Sequence, residues 1–259
     1  MINSINLNDK HPNTNIRFKA LPLAEYNYLG KSKKVTIYQL KKSDIGYLEH
    51  LVANLDKFLK KYNVDNASAR QVIEEAFRAG IELLKRNKSE KKAKILMAFY
   101  NNEPSSILIG NALKVDNKGG LHYSSRKNHA KNETELDWLA TWNKKFPGEG
   151  QATVYEYFLT LLNDGFHQCF VRAEIPEKSS AVAFYTKMGF DKLSEVPRKI
   201  LRKNDNKYVI GNFDDNSDTI IPMKATVIDM IKTIKEKACL VMRKQIKTNG
   251  SYVLPKEQF

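Results

Sequence analysis

Lys145, Gly148 and Gly150 stand within the run Lys145-Phe-Pro-Gly148-Glu149-Gly150-Gln151-Ala152, between a strand-like stretch, Glu133 to Trp142, and a helix-like stretch, Ala152 to Asn163. A strand that ends in closely spaced glycines and then opens a helix can hold phosphate. Glycine lets the backbone approach the anion, and the first N–H groups of the helix point at it. The same two glycines also suit an ordinary tight turn, so the loop alone leaves both readings open. Upstream, Glu133-Thr-Glu135-Leu-Asp137-Trp-Leu-Ala140-Thr141-Trp142 alternates in polarity. Strict alternation predicts Glu135, Asp137 and Thr141 on one face and Leu136, Trp138, Ala140 and Trp142 on the other. Acidic side chains therefore stand on the strand that runs into the loop.

Downstream, Lys178-Ser-Ser-Ala181-Val-Ala-Phe-Tyr185-Thr-Lys-Met-Gly189-Phe190 reads as a short helix closed by glycine. Taken together, the two segments resemble motifs of the GNAT-type N-acetyltransferases. The first is similar to that superfamily's acyl-CoA pyrophosphate loop, Gln/Arg-x-x-Gly-x-Gly/Ala, with Lys145, Gly148 and Gly150 at the marked positions. The second is similar to Asn-x-x-Ala-x-x-x-Tyr-x-x-x-Gly-Phe, matched at Ala181, Tyr185, Gly189 and Phe190. The resemblance covers roughly residues 35–227 and departs from the pattern twice. Lys145 stands for Gln or Arg, which loses the planar fork of Arg, and Lys178 stands for Asn.

The resemblance implies an α/β fold, GNAT-like (acyl-CoA N-acyltransferase), with a mixed central sheet flanked by helices; a C-terminal amphipathic helix is expected to follow. It implies acetyl-CoA as co-substrate and transfer of its acetyl group to a primary amine by direct attack in a ternary complex. The residues it places around the acyl-CoA are Ala140, Thr141, Trp142, Lys145, Gly148, Glu149, Gly150, Gln151, Ala152, Lys178 and Ala181. Backbone N–H groups of Gly148, Gly150, Gln151 and Ala152 would face the pyrophosphate, and one near Ala140 to Trp142 would face the oxyanion. Glu135 is the expected base, ahead of Asp137 and Glu133, because an amine attacks only after losing its proton. An exposed strand-face carboxylate is the competing reading. Tyr185 takes the position of the family's tyrosine, whose hydroxyl protonates the departing thiolate; a core tyrosine is the alternative.

The supporting elements follow from periodicity. Residues 1–34 are rich in Asn, Lys and Pro and read as a mobile arm, with Phe18 to Leu23 able to dock on the body. Val35 to Leu40 alternates as a strand, and Ser43 and Asp44 open one helix with apolar residues from Ile45 to Leu59 at helical spacing. A second helix, Ala69 to Arg86, fits a capping box at Ser68 and Gln71. Its Glu74, Glu75, Arg78 and Glu82 face either an acceptor or, as the commoner arrangement, solvent. Ala93 to Tyr100 and Ser106 to Val115 form a hairpin across Asn101-Asn-Glu-Pro104. The polar stretch 116–132 offers His122, Tyr123, Arg126 and His129 to a substrate or to solvent. Phe166 to Glu174 and Thr219 to Ala225 are strands, and Pro222 predicts an edge or irregular position for the latter. Thr226 opens a helix whose stripe Val227, Ile231, Ile234, Ala238 and Val241 packs on the domain or, as second choice, on a second copy in a homodimer.

The formal charge of +14 raises nucleic-acid binding as a rival function, but the excess is diffuse. Residues 1–34 carry 6 basic and 2 acidic side chains, 35–190 carry 23 and 18, and 191–259 carry 14 and 9. A nucleic-acid module concentrates its charge, so that role is disfavoured. A GNAT-shaped protein that binds acyl-CoA without turnover is the other rival. Two cysteines, Cys169 and Cys239, are too few for a disulfide framework, and no histidine or cysteine spacing suggests a metal. No apolar run spans a bilayer and the amino terminus carries no secretory pattern, so no membrane partner and a cytoplasmic location are expected.

Overall fold

The computed structural model of the chain describes residues 20–28, 31–86, 93–115, 121–123, 133–142, 148–174, 181–192, 199–204, 207–212, 220–237 and 240–245. Its strands are β1 (Leu21–Tyr28), β2 (Lys31–Gln39), β3 (Ala93–Tyr100), β4 (Glu103–Val115), β5 (Leu121–Tyr123), β6 (Glu133–Thr141), β7 (Gln168–Glu174), β8 (Asp191–Lys192), β9 (Lys199–Asn204), β10 (Lys207–Asn212), β11 (Ile220–Thr226) and β12 (Leu240–Gln245). The helices are α1 (Ile45–Ala53), α2 (Leu55–Lys61), α3 (Ala67–Arg86), α4 (Glu149–Asn163), α5 (Ala181–Met188) and α6 (Val227–Lys237). One mixed sheet in the order β12-β1-β2-β3-β4-β6-β7-β11-β8 forms the centre, β5 pairs with the far end of β4, and β9 and β10 make a separate hairpin. This is the mixed sheet flanked by helices that the sequence predicts.

Two apolar layers hold it. On one face Leu48, Leu51, Phe58, Ile73 and Phe77 of α1–α3 pack on Met97, Phe99, Ile107, Ile109 and Trp142. On the other, Ala152, Val154, Tyr157, Phe158 and Leu161 of α4, with Met230 and Ile234 of α6, pack on Ile37, Leu96, Ala98, Leu108, Leu136 and Val171. Burial on both faces explains why β3 reads as a continuous apolar run.

Several expectations are corrected. Of the arm expected over residues 1–34, residues 21–28 and 31–34 belong to the sheet as β1 and the start of β2, and residues 1–19 lie outside the described residues. The C-terminal segment is not only helix and tail: α6 ends at Lys237, and Val241 lies in β12, which pairs with β1. One partner of β1, β2, follows it directly, and the other, β12, comes from the opposite end of the chain, which no local periodicity reveals. Ala238 lies outside the described residues, while Val227, Met230 and Ile234 are buried in the core. The single helix expected from Ile45 to Leu59 is two, broken at Asn54, whose Nδ2 donates to His50 O at 3.0 Å. Helix α3 starts at Ala67, where Asn66 Oδ1 accepts from the Ala69 N–H at 3.1 Å in place of a Ser68 cap. The expectation for Pro222 is not among these corrections: β8 pairs with β11 only at Met223 and Lys224, so Pro222 has a strand neighbour on one side alone among the described residues.

Other local signals match. Asn101 and Asn102 have φ of 49° and 68°, the left-handed pair that a two-residue hairpin turn requires. Thr226 Oγ1 accepts from the Asp229 N–H at 3.2 Å and caps α6. Among the described residues, no helix is long and apolar enough to cross a membrane, and no group of three His, Cys, Asp or Glu could hold a metal ion.

Candidate active site

The centre of the site is the place where β6 and β7 part. They pair in parallel from Glu133/Gln168 to Leu136/Val171 and no further. Beyond that point Trp138 to Thr141 pair with β4 alone, and the end of β7 remains paired with β11. A wedge-shaped gap therefore opens between the two strands.

A β-bulge lies at the apex of the gap. Ile109 of β4 faces Trp138 and Gly110 faces Leu136, so Asp137 is the extra residue. This corrects the strict alternation expected for β6. Before the bulge, Thr134 and Leu136 point to α4; after it, Trp138, Ala140 and Trp142 point to the opposite face, against α1–α3. Glu135, between Thr134 and Leu136, is thereby on the same face as Trp138, not opposite it. A one-residue insertion inverts every side chain beyond it.

The bulge is pinned from α4. Tyr157 lies across Gly110, with its hydroxyl 3.0 Å from Thr134 Oγ1 and 3.4 Å from the carbonyl of Glu135. Gly110 is required here: a Cβ on it would lie 1.9 Å from the Tyr157 hydroxyl. Beside this contact, burial holds the Tyr157 phenol and the Cys169 thiol well above their usual ranges, and the charges of Glu135 and Asp137 raise both further. Cys169 is thus an un-ionised buried thiol, as its sequence context suggests.

The in-plane groups of β6 can be assigned. Trp142 N–H donates to Ser105 O of β4 at 3.1 Å. By the alternation of an antiparallel ladder, Ala140 also directs its polar backbone groups to β4, while Leu139 and Thr141 direct theirs into the gap. Thr141 N–H is therefore the donor within the stretch Ala140 to Trp142 that faces the gap. The Trp142 ring is held elsewhere, with its Nε1 donating to Pro104 O at 2.7 Å and Phe58 and Phe77 edge-on to it.

At the open end of the gap stands the N-terminus of α4. Gly148 is its N-cap, with φ of 101° in the left-handed region. Helix α4 begins at Glu149, earlier than the sequence predicts, so Gly150 and Gln151 are helical. Ala152 N–H donates to Gly148 O at 2.9 Å and is not available to an anion, which corrects the expectation for that residue. The groups without an intrahelical partner are the N–H groups of Gly148, Glu149, Gly150 and Gln151. Gly150 allows the helix to abut β6, since a Cβ there would lie 3.1 Å from Thr141 Cγ2. Lys145 and Lys178 lie outside the described residues.

Glu149 itself is buried; Ser105 hydrogen-bonds its carboxyl, and Oε2 has no partner among the described residues. Burial raises its pKa to about 8, against the lowering effect of that hydrogen bond. Local pattern does not reveal this, because Glu149 reads there as a loop residue.

Tyr185 is buried in α5, with Phe184 and Phe190 edge-on at 5.3 and 5.4 Å. Burial, with a smaller contribution from Cys169, pushes its hydroxyl above the ordinary phenol range. Gly189, with φ of 98°, ends that helix, as the sequence predicts. Ala181 is half-buried at its start. Glu74 and Arg78 pair with each other at 2.7 Å, and Gln71 with Glu75 at 2.8 Å, on the exposed side of α3. Glu74 also borders a cleft of about 310 Å³ at the α1/α2 break, beside Asn54, Asp56 and Arg70.

No protein-family model matches the sequence, and no curated protein matches it. Solved structures do. The chain is similar in shape to GNAT-family acetyltransferases. An acetyltransferase of the GNAT family from Streptococcus pneumoniae is 14% identical, with a TM-score of 0.46 over 74% of this chain and 99% of that one. An aminoglycoside N(6')acetyltransferase from Legionella pneumophila is 16% identical, with a TM-score of 0.44 over 76% and 95%. PaiA N-acetyltransferase from Thermoplasma acidophilum, in complex with coenzyme A, is 14% identical, with a TM-score of 0.41 over 74% and 99%. Likeness at this level concerns shape and assigns no substrate.

Proposed function

We propose that this protein is an N-acyltransferase that moves an acetyl group from acetyl-CoA to a primary amine. The observation that supports it most is the gap between β6 and β7 with the glycine-capped N-terminus of α4 at its open end. A diphosphate fits the unpaired N–H groups of Gly148 to Gln151, with Lys145 adding positive charge. An extended amide-bearing arm fits beside β6, where Leu139 and Thr141 offer backbone groups to pair with it. The thioester then lies toward the apex, within reach of the groups around the bulge.

In the reaction the amine nitrogen attacks the thioester carbon, the carbonyl oxygen gains charge, and the carbon–sulfur bond breaks. Glu135 accepts the proton that the amine must lose, with Asp137 at the bulge as the alternative base. Leu139 N–H, the gap-facing donor nearer the bulge, is a candidate donor to the oxyanion, because Thr141 N–H lies at the diphosphate end. Tyr185 gives its hydroxyl proton to the departing thiolate, and solvent restores it. The amine acceptor is a small molecule or a protein.

Titration calorimetry with acetyl-CoA tests the reading, on the natural chain and on Gly148→Asp/Gly150→Asp, whose carboxylates oppose an anion at the helix N-terminus. Micromolar binding lost in the double variant is the expected result. Absence of binding in the natural chain refutes it. Acyl-CoA binding without turnover is a second reading, favoured by one observation: the Tyr185 hydroxyl is raised by burial and so is a poorer acid. Binding without acetylation of any amine in a broad acceptor screen selects that reading.

A further inference from the structure

Glu149 is an unusual residue to find at the first position of a helix offered to a diphosphate. Acidic side chains are favoured at helix N-termini, but there they compete with any anion for the same N–H groups. Here the side chain turns inward, 3% exposed, to Ser105 at the start of β4, and Oε2 has no partner among the described residues. Behind it, Thr153 Oγ1 donates to Glu149 O at 2.8 Å and meets Ser106 Oγ at 2.9 Å. One turn further, Glu156 accepts from the Tyr26 hydroxyl at 2.6 Å. The sheet-facing side of α4 thus begins with a polar row, and Glu149 is its outermost member, next to the anion site.

The groups that face this row can be enumerated from each neighbouring element. They are Tyr26 from β1, Tyr100 from β3, Ser105 and Ser106 from β4, and Thr141 at the end of β6, with Thr153 and Glu156 on α4 itself. Among the described residues, these groups include no cation. A buried carboxyl without a cation is held in its neutral form.

Resting on the function proposed above, we infer that Glu149 is a positioning residue that couples diphosphate binding to its own protonation. As a neutral acid it leaves the first-turn N–H groups of α4 free for the anion, and its proton gives Oε2 or Oε1 a hydrogen bond to donate. As a carboxylate it adds a second negative charge to the same helix end. Bound acetyl-CoA therefore favours the protonated form, and by reciprocity ionisation weakens binding. The burial that raises Glu149 to about 8 puts this coupling in an accessible range.

The test is the affinity for acetyl-CoA from about pH 7 to about pH 9, in the natural protein and in Glu149→Gln, where one pKa unit of coupling equals a tenfold change. The phosphates of acetyl-CoA are already ionised across this range, given a second phosphate pKa of about 6, so the ligand does not supply the slope. The natural protein loses about tenfold in affinity over that range, and Glu149→Gln changes by less than about threefold. Calorimetry at about pH 8.5 in buffers of different ionisation enthalpy gives a second readout: binding takes up a fraction of a proton in the natural protein and none in the variant. A flat profile in the natural protein, or an equal fall in both proteins, overturns the coupling while leaving the acyl-CoA reading intact. Absence of binding by both proteins at every pH removes the acyl-CoA reading and this inference with it.

Discussion

Replacing Gly110 by alanine is the sharpest test of how the site is held. The added Cβ would lie 1.9 Å from the Tyr157 hydroxyl, 2.3 Å from Cζ and 2.6 Å from Cε2. All three distances are below van der Waals contact, and the obstacle is a ring, not the free end of a flexible chain. Tyr157 is fully buried between α4 and the sheet, so it cannot swing into solvent. Overpacking of this kind costs about 1–3 kcal/mol. If the ring moves, the Thr134 hydroxyl and the Glu135 carbonyl lose their partner, which adds about 1–3 kcal/mol. The expected destabilisation is therefore about 2–6 kcal/mol, read as a lower urea midpoint at an unchanged m-value. Tyr157→Phe alone does not relieve the clash, because Cζ and Cε2 remain; Gly110→Ala/Tyr157→Leu recovers part of the loss, and the double-mutant cycle shows coupling of opposite sign to the single effects. A loss below about 1 kcal/mol in Gly110→Ala would mean that Tyr157 does not sit across the bulge, and the arrangement of β6 described above would be wrong.

Three further outcomes are expected. Tyr185→Phe lowers acetyl transfer by about 10²-fold at similar acetyl-CoA affinity, as loss of a general acid does; unchanged turnover removes Tyr185 from the chemistry. Thr226→Ala removes the cap of α6 and costs about 1 kcal/mol in thermal or urea unfolding, whereas Thr226→Asp retains most of it. Glu149→Gln stabilises the fold increasingly as pH rises, because the folded carboxyl at about 8 lies above its ordinary value of 4.5. Between those values the folded state holds a proton that the unfolded state has released, so the natural protein loses stability with rising pH, by at most about 1.4 kcal/mol per unit. Near neutrality the advantage of the variant is a few kcal/mol at most, about 3 on this accounting, and urea midpoints of the two proteins that stay parallel from about pH 5 to about pH 8 would contradict it.

The order of the site elements was legible in the sequence, since strand, glycine loop, helix, strand and the helix closed by Gly189 follow from local signals. The facing of β6 was not. Period-two reading assumes one residue per pleat, and the bulge at Asp137 is invisible to it because a bulge is a property of two strands in register, Gly110 with Leu136 and Ile109 with Trp138. The break at Asn54 escaped for a related reason. Leu48, Leu51, Leu55, Phe58 and Leu59 all pack on the same core, so the apolar spacing runs across the break without a visible change of phase. Strand β1 is hidden because the stretch up to Lys34 shows no sustained alternation and its outer partner, β12, comes from the other end of the chain.

The same bulge ties these pieces into one device. Without an extra residue in β6, Trp138, Ala140 and Trp142 would turn to the α4 side, and the aromatic contacts of Trp142 with Phe58 and Phe77 could not form. With it, the strand rotates about Asp137, its later residues leave β7, and the gap opens at the point where parallel pairing stops. Bulges increase local twist and end pairing by geometry alone, so the opening needs no bound ligand to hold it. Tyr157 then fixes the bulge from the middle of α4, while the first turn of the same helix carries Gly148 to Gln151 to the open end. One rigid helix thereby sets the distance between the anion site and the acidic residues at the apex, and a shift of α4 moves both together.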